Sequence, residues 1–182
     1  ENAWIALAAH LISLFDISFK AWSYIEKFQD PDSGGYCSKY PFRKGGHNLE
    51  DPLSSAWVSN AGLHLGKVKE ALKAADFIQE LWDRQPDEEN NFYYYCYSDT
   101  GLVLERPENE PEDRFFRINT KEPENWYYIL GAQIAFLSKL YLISGRAEHL
   151  NLARRVQEFG MRCHEDIFRT DSAGKFCYGN IN

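Results

Sequence analysis

The sequence predicts an all-α fold of about three antiparallel helical hairpins, and three observations carry that reading. Helical segments alternate between nearly uncharged and amphipathic, as the inner and outer members of a packed pair do. Gly- and Pro-bearing turns separate them. An aromatic–cysteine turn also recurs each time a helical pattern runs out, as Gly35-Tyr36-Cys37, Tyr95-Cys96-Tyr97 and Phe176-Cys177-Tyr178. Recurrence on that scale is the mark of stacked helical units.

Residues 3–14 are apolar nearly all round, which predicts a helix buried on most sides. Asp16 stands where an N-cap belongs, and 17–28 mix apolar with charged residues as a half-exposed outer helix does. The run from Gln29 to Gly35, with Pro31 and paired glycines, is a strong turn, followed by an irregular loop over 36–50. Asp51-Pro52 opens the second hairpin as N-cap and first helical residue. Residues 52–65 are uncharged and rich in small side chains, the composition of an inner helix; Gly66 closes it. Residues 68–84 then set Val68, Leu72, Ala75, Ile78 and Leu81 against charged neighbours. The third hairpin repeats the order: 126–143 with Lys139 as its one charge, a break at Ser144-Gly145, and amphipathic 147–163. Between the second and third hairpins, the acidic, Pro-rich stretch 105–125 reads as an excursion over the surface of a single domain spanning 1–182.

With 182 residues and 44% hydrophobic content, the chain has enough apolar surface for one core. A net charge of −7 without a basic patch argues against nucleic-acid binding. No apolar run approaches the roughly 20 residues that span a bilayer, and no secretory pattern is present, so no membrane span and a cytoplasmic location are expected. Cys37, Cys96, Cys163 and Cys177 lack CxxC spacing and read as reduced thiols, with no metal site. No phosphate-cradling loop or other cofactor motif is present, so no cofactor is expected. The sequence opens at Glu1 already inside a helical pattern and stops just after the third aromatic turn. It therefore reads as a portion of a longer protein, with the remaining hairpins supplied by that protein or by a second subunit.

Two stretches resemble known repeats. Ser54-Ser55-Ala56-Trp57 through Gly66, then Ala71 to Gln85 and Phe92, resembles the repeat of terpene-cyclase and prenyltransferase-β toroids. Leu140-Tyr141-Leu142-Ile143-Ser144-Gly145, with His149-Leu150 and Ala153, resembles the repeat of carbohydrate-active (α/α)6 barrels of the N-acylglucosamine 2-epimerase-like and unsaturated-glucuronyl-hydrolase-like kinds. Both belong to the α/α-toroid superfamily. The departures are specific: Tyr36 and Phe92 stand where the Gln–Trp turn of squalene-type cyclases has Trp, and the DxDD acid and the prenyltransferase metal set have no counterpart. The resemblance implies a partial ring, three hairpins of about six, with ligand sites at the N-terminal ends of the inner helices.

The stretches 47–55, 93–99 and 124–128 would border such a mouth. His47, Glu50 and Asp51 form the best acid–base cluster, since an imidazole and two carboxyls near an apolar cavity can divide donor and acceptor roles. Asp51 is equally an ordinary N-cap. Tyr95, Tyr97 and Asp99 combine an aromatic wall with an acid, while Trp57, Trp126, Tyr127 and Tyr128 are placed to stack on a ligand. An aromatic content of 15%, much of it in turns, favours a walled pocket over core packing alone. Gln133 is a lone amide in an apolar run and needs a partner if buried. These residues predict a small-molecule ligand. The scarcity of charge on the inner helices favours a hydrophobic substrate and a cofactor-independent cyclase, isomerase or lyase. The alternatives are a carbohydrate-active epimerase or glycoside-hydrolase-like enzyme, and a non-catalytic helical scaffold.

Overall fold

A computed structural model of the chain describes residues 2–105, 116–122 and 126–163. It contains six α-helices among those residues: α1 (Asn2–Leu11), α2 (Phe15–Ile25, continued by a 3-10 turn Glu26–Phe28), α3 (Pro52–His64), α4 (Val68–Asp83), α5 (Tyr128–Ser144) and α6 (Ala147–Arg162). They pair as α1–α2, α3–α4 and α5–α6, and α3 packs between α1 and α5. The nearly uncharged helices thus form one layer and the amphipathic helices the other. The third aromatic–cysteine turn, with Cys177, lies outside the described residues, as do Glu124 and Asn125.

Helix ends follow local chemistry. The Asp51 side chain caps α3, accepting the Ser54 amide at 2.7 Å and the Ser54 hydroxyl at 2.8 Å, with Pro52 in the first turn. Gly145 ends α5 in the left-handed conformation, φ 69°. Asp16 differs from its expected role: the helix begins at Phe15, Leu14 occupies the cap position, and Asp16 lies in the first turn, where a carboxylate still complements the helix dipole. Helix α1 also differs. It buries only the stripe Ala3, Ala6 and Ala9, because α2 and α3 are its neighbours, and it leaves Trp4, Ile5 and Leu11 exposed.

Short strands connect the hairpins. β1 (Leu49–Glu50), β3 (Cys96–Tyr97) and β4 (Gly101–Leu102) form a three-stranded antiparallel sheet in the order β1-β3-β4. β2 (Asn91–Tyr93) pairs with β5 (Arg117–Asn119), Phe92 opposite Ile118. The expected excursion over 105–125 therefore returns to the body within its described part, where Ile118 is wholly buried.

The same device sets each described turn. After α2, the Gln29 amide donates to the carbonyls of Gly34 (2.9 Å) and Glu70 (2.8 Å). After α4, Gln85 donates to the carbonyls of Leu81 and Tyr93 and accepts the Tyr93 amide at 2.8 Å. Each glutamine carries a turn whose aromatic residue, Tyr36 or Phe92, enters the core. There Trp82 stacks on Phe92 at 4.2 Å and meets Phe159 edge-on at 5.6 Å. Arg155 of α6 fastens this cluster from outside, donating to Glu88 at 2.6 Å, Asp83 at 2.5 Å and the Trp82 carbonyl at 3.1 Å.

Gln133 is bound within the helix layers. It accepts Trp82 Nε1–H at 2.8 Å and donates to the Ile129 carbonyl at 3.1 Å. Replacing it by Ala leaves a buried indole N–H without an acceptor. Gln133→Ala is expected to lose about 1–3 kcal/mol of stability, read from urea unfolding followed by circular dichroism; an unchanged midpoint would show that the bond contributes nothing.

Candidate functional site

Two features of the structure are candidates for a site, one against α4 and the strands and one across the inner helices. The first is a pocket of about 390 Å³ lined by Ser33, Glu50, Glu80, Arg84, Tyr97 and Asp99. The second is a row of aromatic rings.

Glu50 stands between two cysteines. It pairs with Cys37 on one side and Cys96 on the other. Directly opposed residues of antiparallel stretches project to the same face, so the carboxyl is flanked by two thiols. Glu50 is 1% exposed. Its Oε2 accepts the Ser33 hydroxyl at 2.9 Å. Gly35 is required beneath it: a Cβ there would lie 2.8 Å from Oε2. Burial pushes the Glu50 carboxyl up to about 8, with the Asp30 carboxyl adding to the shift and Ser33 opposing it. Burial likewise pushes the Cys37 thiol up to about 12 and the Cys96 thiol up to about 11, so both flanking groups are neutral at pH 7. Cys163 is also a free, buried thiol.

Asp99 is the opposite kind of acid. It is exposed, and its pairing with His47 Nδ1 at 2.8 Å holds it below the usual carboxylate range. The His47 ring also stacks on Tyr97, centroids 3.7 Å apart. The expected cluster of His47, Glu50 and Asp51 is therefore divided. His47 joins Asp99 and Tyr97 at the rim, Glu50 turns inward, and Asp51 caps α3 on extended backbone that sends its side chain the other way. What the structure brings together around one pocket is Glu50, Tyr97 and Asp99, with His47 behind Asp99. Among the described residues, no group of three or more His, Cys, Asp or Glu side chains is arranged to hold a metal ion.

The aromatic row crosses the three inner helices. Trp4 of α1 meets Trp57 of α3 edge-on at 6.2 Å, and Trp57 stacks on Tyr128 of α5 at 6.2 Å. Tyr128 meets Trp126 at 6.2 Å, and Trp126 stacks on Tyr94 at 6.4 Å, which meets Tyr95 at 4.8 Å. Trp57, Tyr95, Trp126 and Tyr128 are half-buried and Trp4 is 53% exposed. A smaller cavity of about 170 Å³ opens between Trp4 and Trp57, bordered by Tyr36, Ser38 and Ser54. Tyr127 is not in the row; it is buried, and its hydroxyl donates to the Glu122 carbonyl. Gln133 is likewise in the core. Sequence reasoning misses Trp4 as a member of the row, because the residue sits in a segment that reads as buried on most sides. It also misses Ser33 as the hydroxyl donor to Glu50. The signal is hidden, because Asp30-Pro31-Asp32-Ser33 reads fully as a turn.

No family model matches the chain, and no curated protein matches its sequence. Among solved structures, a GH76 alpha-mannanase from Bacteroides thetaiotaomicron is similar, with a TM-score of 0.57 and 16% identity, covering 87% of this chain. The chain spans 42% of that structure's length. That likeness, with the hairpin packing, shows the fold: antiparallel helical hairpins of the α/α-toroid kind. Among the described residues no helix is long and apolar enough to cross a membrane.

The raised proton affinity of Glu50 has a stability consequence. The folded state holds this proton up to about pH 8, and an unfolded glutamate only to about 4.3. Its contribution is therefore complete below about pH 4 and is lost as pH rises through about 8. A glutamine in its place cannot ionise. Thermal unfolding at pH 5, 7 and 9 should show Glu50→Gln gaining on the parent as pH rises, on the order of a few kcal/mol by pH 9; a difference constant with pH would count against a buried, protonated Glu50.

Proposed function

We propose that this chain is the hairpin portion of a carbohydrate-active α/α-toroid enzyme, and the observation that carries the reading is the aromatic row from Trp4 through Trp57 and Tyr128 to Trp126. Rings spaced about a sugar unit apart offer apolar faces to the C–H faces of a glycan. The alpha-mannanase with the similar fold supports the same class. The pocket at Glu50 also suits a polar substrate, since Ser33, Glu80, Arg84 and Asp99 line it. A hydrophobic substrate, and with it the cyclase, isomerase or lyase reading, has less support: the acid of that pocket is surrounded by hydrogen-bonding and charged groups.

In this reading Glu50 is the proton donor and Asp99 the base, with His47 and Tyr97 fixing Asp99. Glu50 gives its proton to the departing glycosidic oxygen as the C–O bond breaks. Asp99 takes a proton from the water that forms the new bond to carbon. The division rests on environment: one carboxyl is buried and protonated at neutral pH, the other exposed and ionised. Trp57, Trp126 and Tyr128 position the chain, with Tyr95 at the end of the row. Asp51, Tyr127 and Gln133 act through the fold, as cap, anchor and indole acceptor.

Affinity electrophoresis in gels of soluble polysaccharides, alpha-mannan among them, tests this. Retardation should weaken about 3- to 10-fold in Trp57→Ala and in Trp126→Ala. Glu50→Gln should bind as the parent does and lose about 100-fold or more of any hydrolysis. If no glycan retards the parent, or if both Trp variants bind unchanged, the reading is wrong. Binding without turnover would select the scaffold alternative.

A further inference from the structure

Ser33 and Glu50 come from different elements and meet through one hydrogen bond. The turn after α2 is built around Asp30, which accepts the amides of Asp32 (2.8 Å) and Ser33 (3.4 Å) on Oδ1. It is seated on α4: the Gln29 amide donates to the Glu70 carbonyl at 2.8 Å, and a Cβ on Gly34, at φ 83°, would run into the Lys73 carbonyl. The seated turn presents the Ser33 hydroxyl, which accepts the Gly35 amide at 3.1 Å. That bond takes an Oγ lone pair, and the hydroxyl hydrogen is donated to Glu50 Oε2 at 2.9 Å. Glu50 Oε1 is buried and has no hydrogen-bond partner. An oxygen that carries a carboxylic proton is a poor acceptor, so Oε2 is the carbonyl oxygen of the neutral acid and Oε1 bears the hydrogen. A buried O–H without an acceptor is costly, and in a residue that lines a pocket it calls for an acceptor from outside the chain.

We propose that Ser33 is the positioning residue of Glu50: it leaves the acidic hydrogen on Oε1 and stabilises the carboxylate that remains once that hydrogen is given up. The catalytic meaning rests on the proposed function; the geometry does not. As the glycosidic C–O bond breaks, its electron pair stays on the departing oxygen. That oxygen takes the proton from Oε1, and the negative charge left on Glu50 is shared by Oε1 and Oε2. The Ser33 bond to Oε2 thereby turns from neutral to charge-assisted, and it strengthens as the charge forms. The other groups near Glu50 cannot do this. Asp30 and Asp32 of the turn, Glu80 of α4 and Asp99 beyond β3 are acids, Cys37 and Cys96 carry weakly donating thiols, and Arg84 of α4 donates to Glu80. Gly35 is part of the device, since a Cβ there would lie 2.8 Å from Oε2 and 2.9 Å from the Phe77 ring. Solvent reloads Glu50 after each turnover.

Carbon-13 carboxyl NMR of Glu-labelled protein, with no glycan present, tests the pairing. The Glu50 signal is assigned by its disappearance in Glu50→Gln and should titrate near pH 8 in the parent. Ser33→Ala removes a donor to the charged form, so the midpoint should rise by about one unit. Ser33→Thr keeps the hydroxyl and should titrate as the parent does. Ser33→Cys, close in size but a weak donor, should fall between, and it carries the test if Ser33→Ala does not fold. A midpoint unmoved in folded Ser33→Ala, or in Ser33→Cys where Ser33→Ala does not fold, overturns the proposal. Turnover supplies a second readout: on a glycan that the parent hydrolyses, Ser33→Ala should lose about 10- to 100-fold in kcat with KM unchanged. A loss confined to KM would make Ser33 a binding residue and overturns the positioning role. If the parent turns over no glycan, the proposed function fails, while a shifted midpoint still upholds the Ser33–Glu50 pairing.

Discussion

Helix α3 imposes the constraint on which the rest depends. It carries no Asp, Glu, Lys or Arg from Pro52 to Leu65, so most of its surface must be covered. Its neighbours α1, α4 and α5 cover it, and its small residues let them approach closely. Ala56, Ser55 and Ser59 are fully buried or nearly so. At Gly62 the Trp22 ring of α2 reaches to 2.6 Å from where a Cβ would stand, so that position admits no larger side chain without moving the indole. Fixing α3 against these neighbours also fixes what its N-terminal half and the residues just before it carry: Asp51 as the cap, Glu50 just ahead of it, and Trp57 between Trp4 and Tyr128.

The aromatic–cysteine turns acquire a second meaning from the same packing. Tyr36 within the first turn, and Phe92 and Tyr94 just ahead of the second, are core residues, which is an architectural role. The cysteines of the turns are what a buried acid needs beside it. A thiol is small, weakly hydrogen-bonding and neutral when its proton affinity is raised, so it excludes water without offering the carboxylate a strong donor. Cys37 and Cys96 thus leave Ser33 as the hydroxyl donor to Glu50, and the protonated form wins. Asp99 sits across the pocket, open to solvent and paired with an imidazole, and the ionised form wins. Two carboxyls of one pocket are driven apart by surroundings alone.

The helices are legible in the sequence because each carries its own evidence. The switch from uncharged to amphipathic composition, the Asp51-Pro52 start and the Gly145 stop all lie within the segments they define. The site is legible only as a set of residues without an arrangement. His47, Glu50 and Asp51 are close in sequence, and an extended backbone sends neighbours to opposite sides. His47 finds its carboxylate 52 residues away. Ser33 is fully explained as a turn former, so nothing in the sequence demands a second role for it. Gln133 stands out as an amide needing a partner, and the partner is the Trp82 indole in the core. What the sequence lacks in each case is the long-range pairing, which depends on strand register and is set by packing rather than by local composition.

A repeated frame and a unique site coexist because the frame is held by backbone and the site by side chains. Gln29 and Gln85 bind carbonyls and amides, which every turn possesses, so the same clamp works after α2 and after α4. It delivers an aromatic residue to the core and a cysteine to the strand that follows. The turn after α2 alone adds Asp30, Ser33 and the paired glycines, while the turn after α4 adds Tyr97 and Asp99. These additions lie on different repeats and meet only because β1 pairs with β3. Had the register slipped by one residue, Glu50 would have turned toward the cap position and Asp51 toward the thiols, exchanging an N-cap for an exposed acid and leaving α3 without its start. The Asp51–Ser54 cap therefore does more than begin a helix: it goes with the register that keeps Glu50 against Ser33 and between the two thiols.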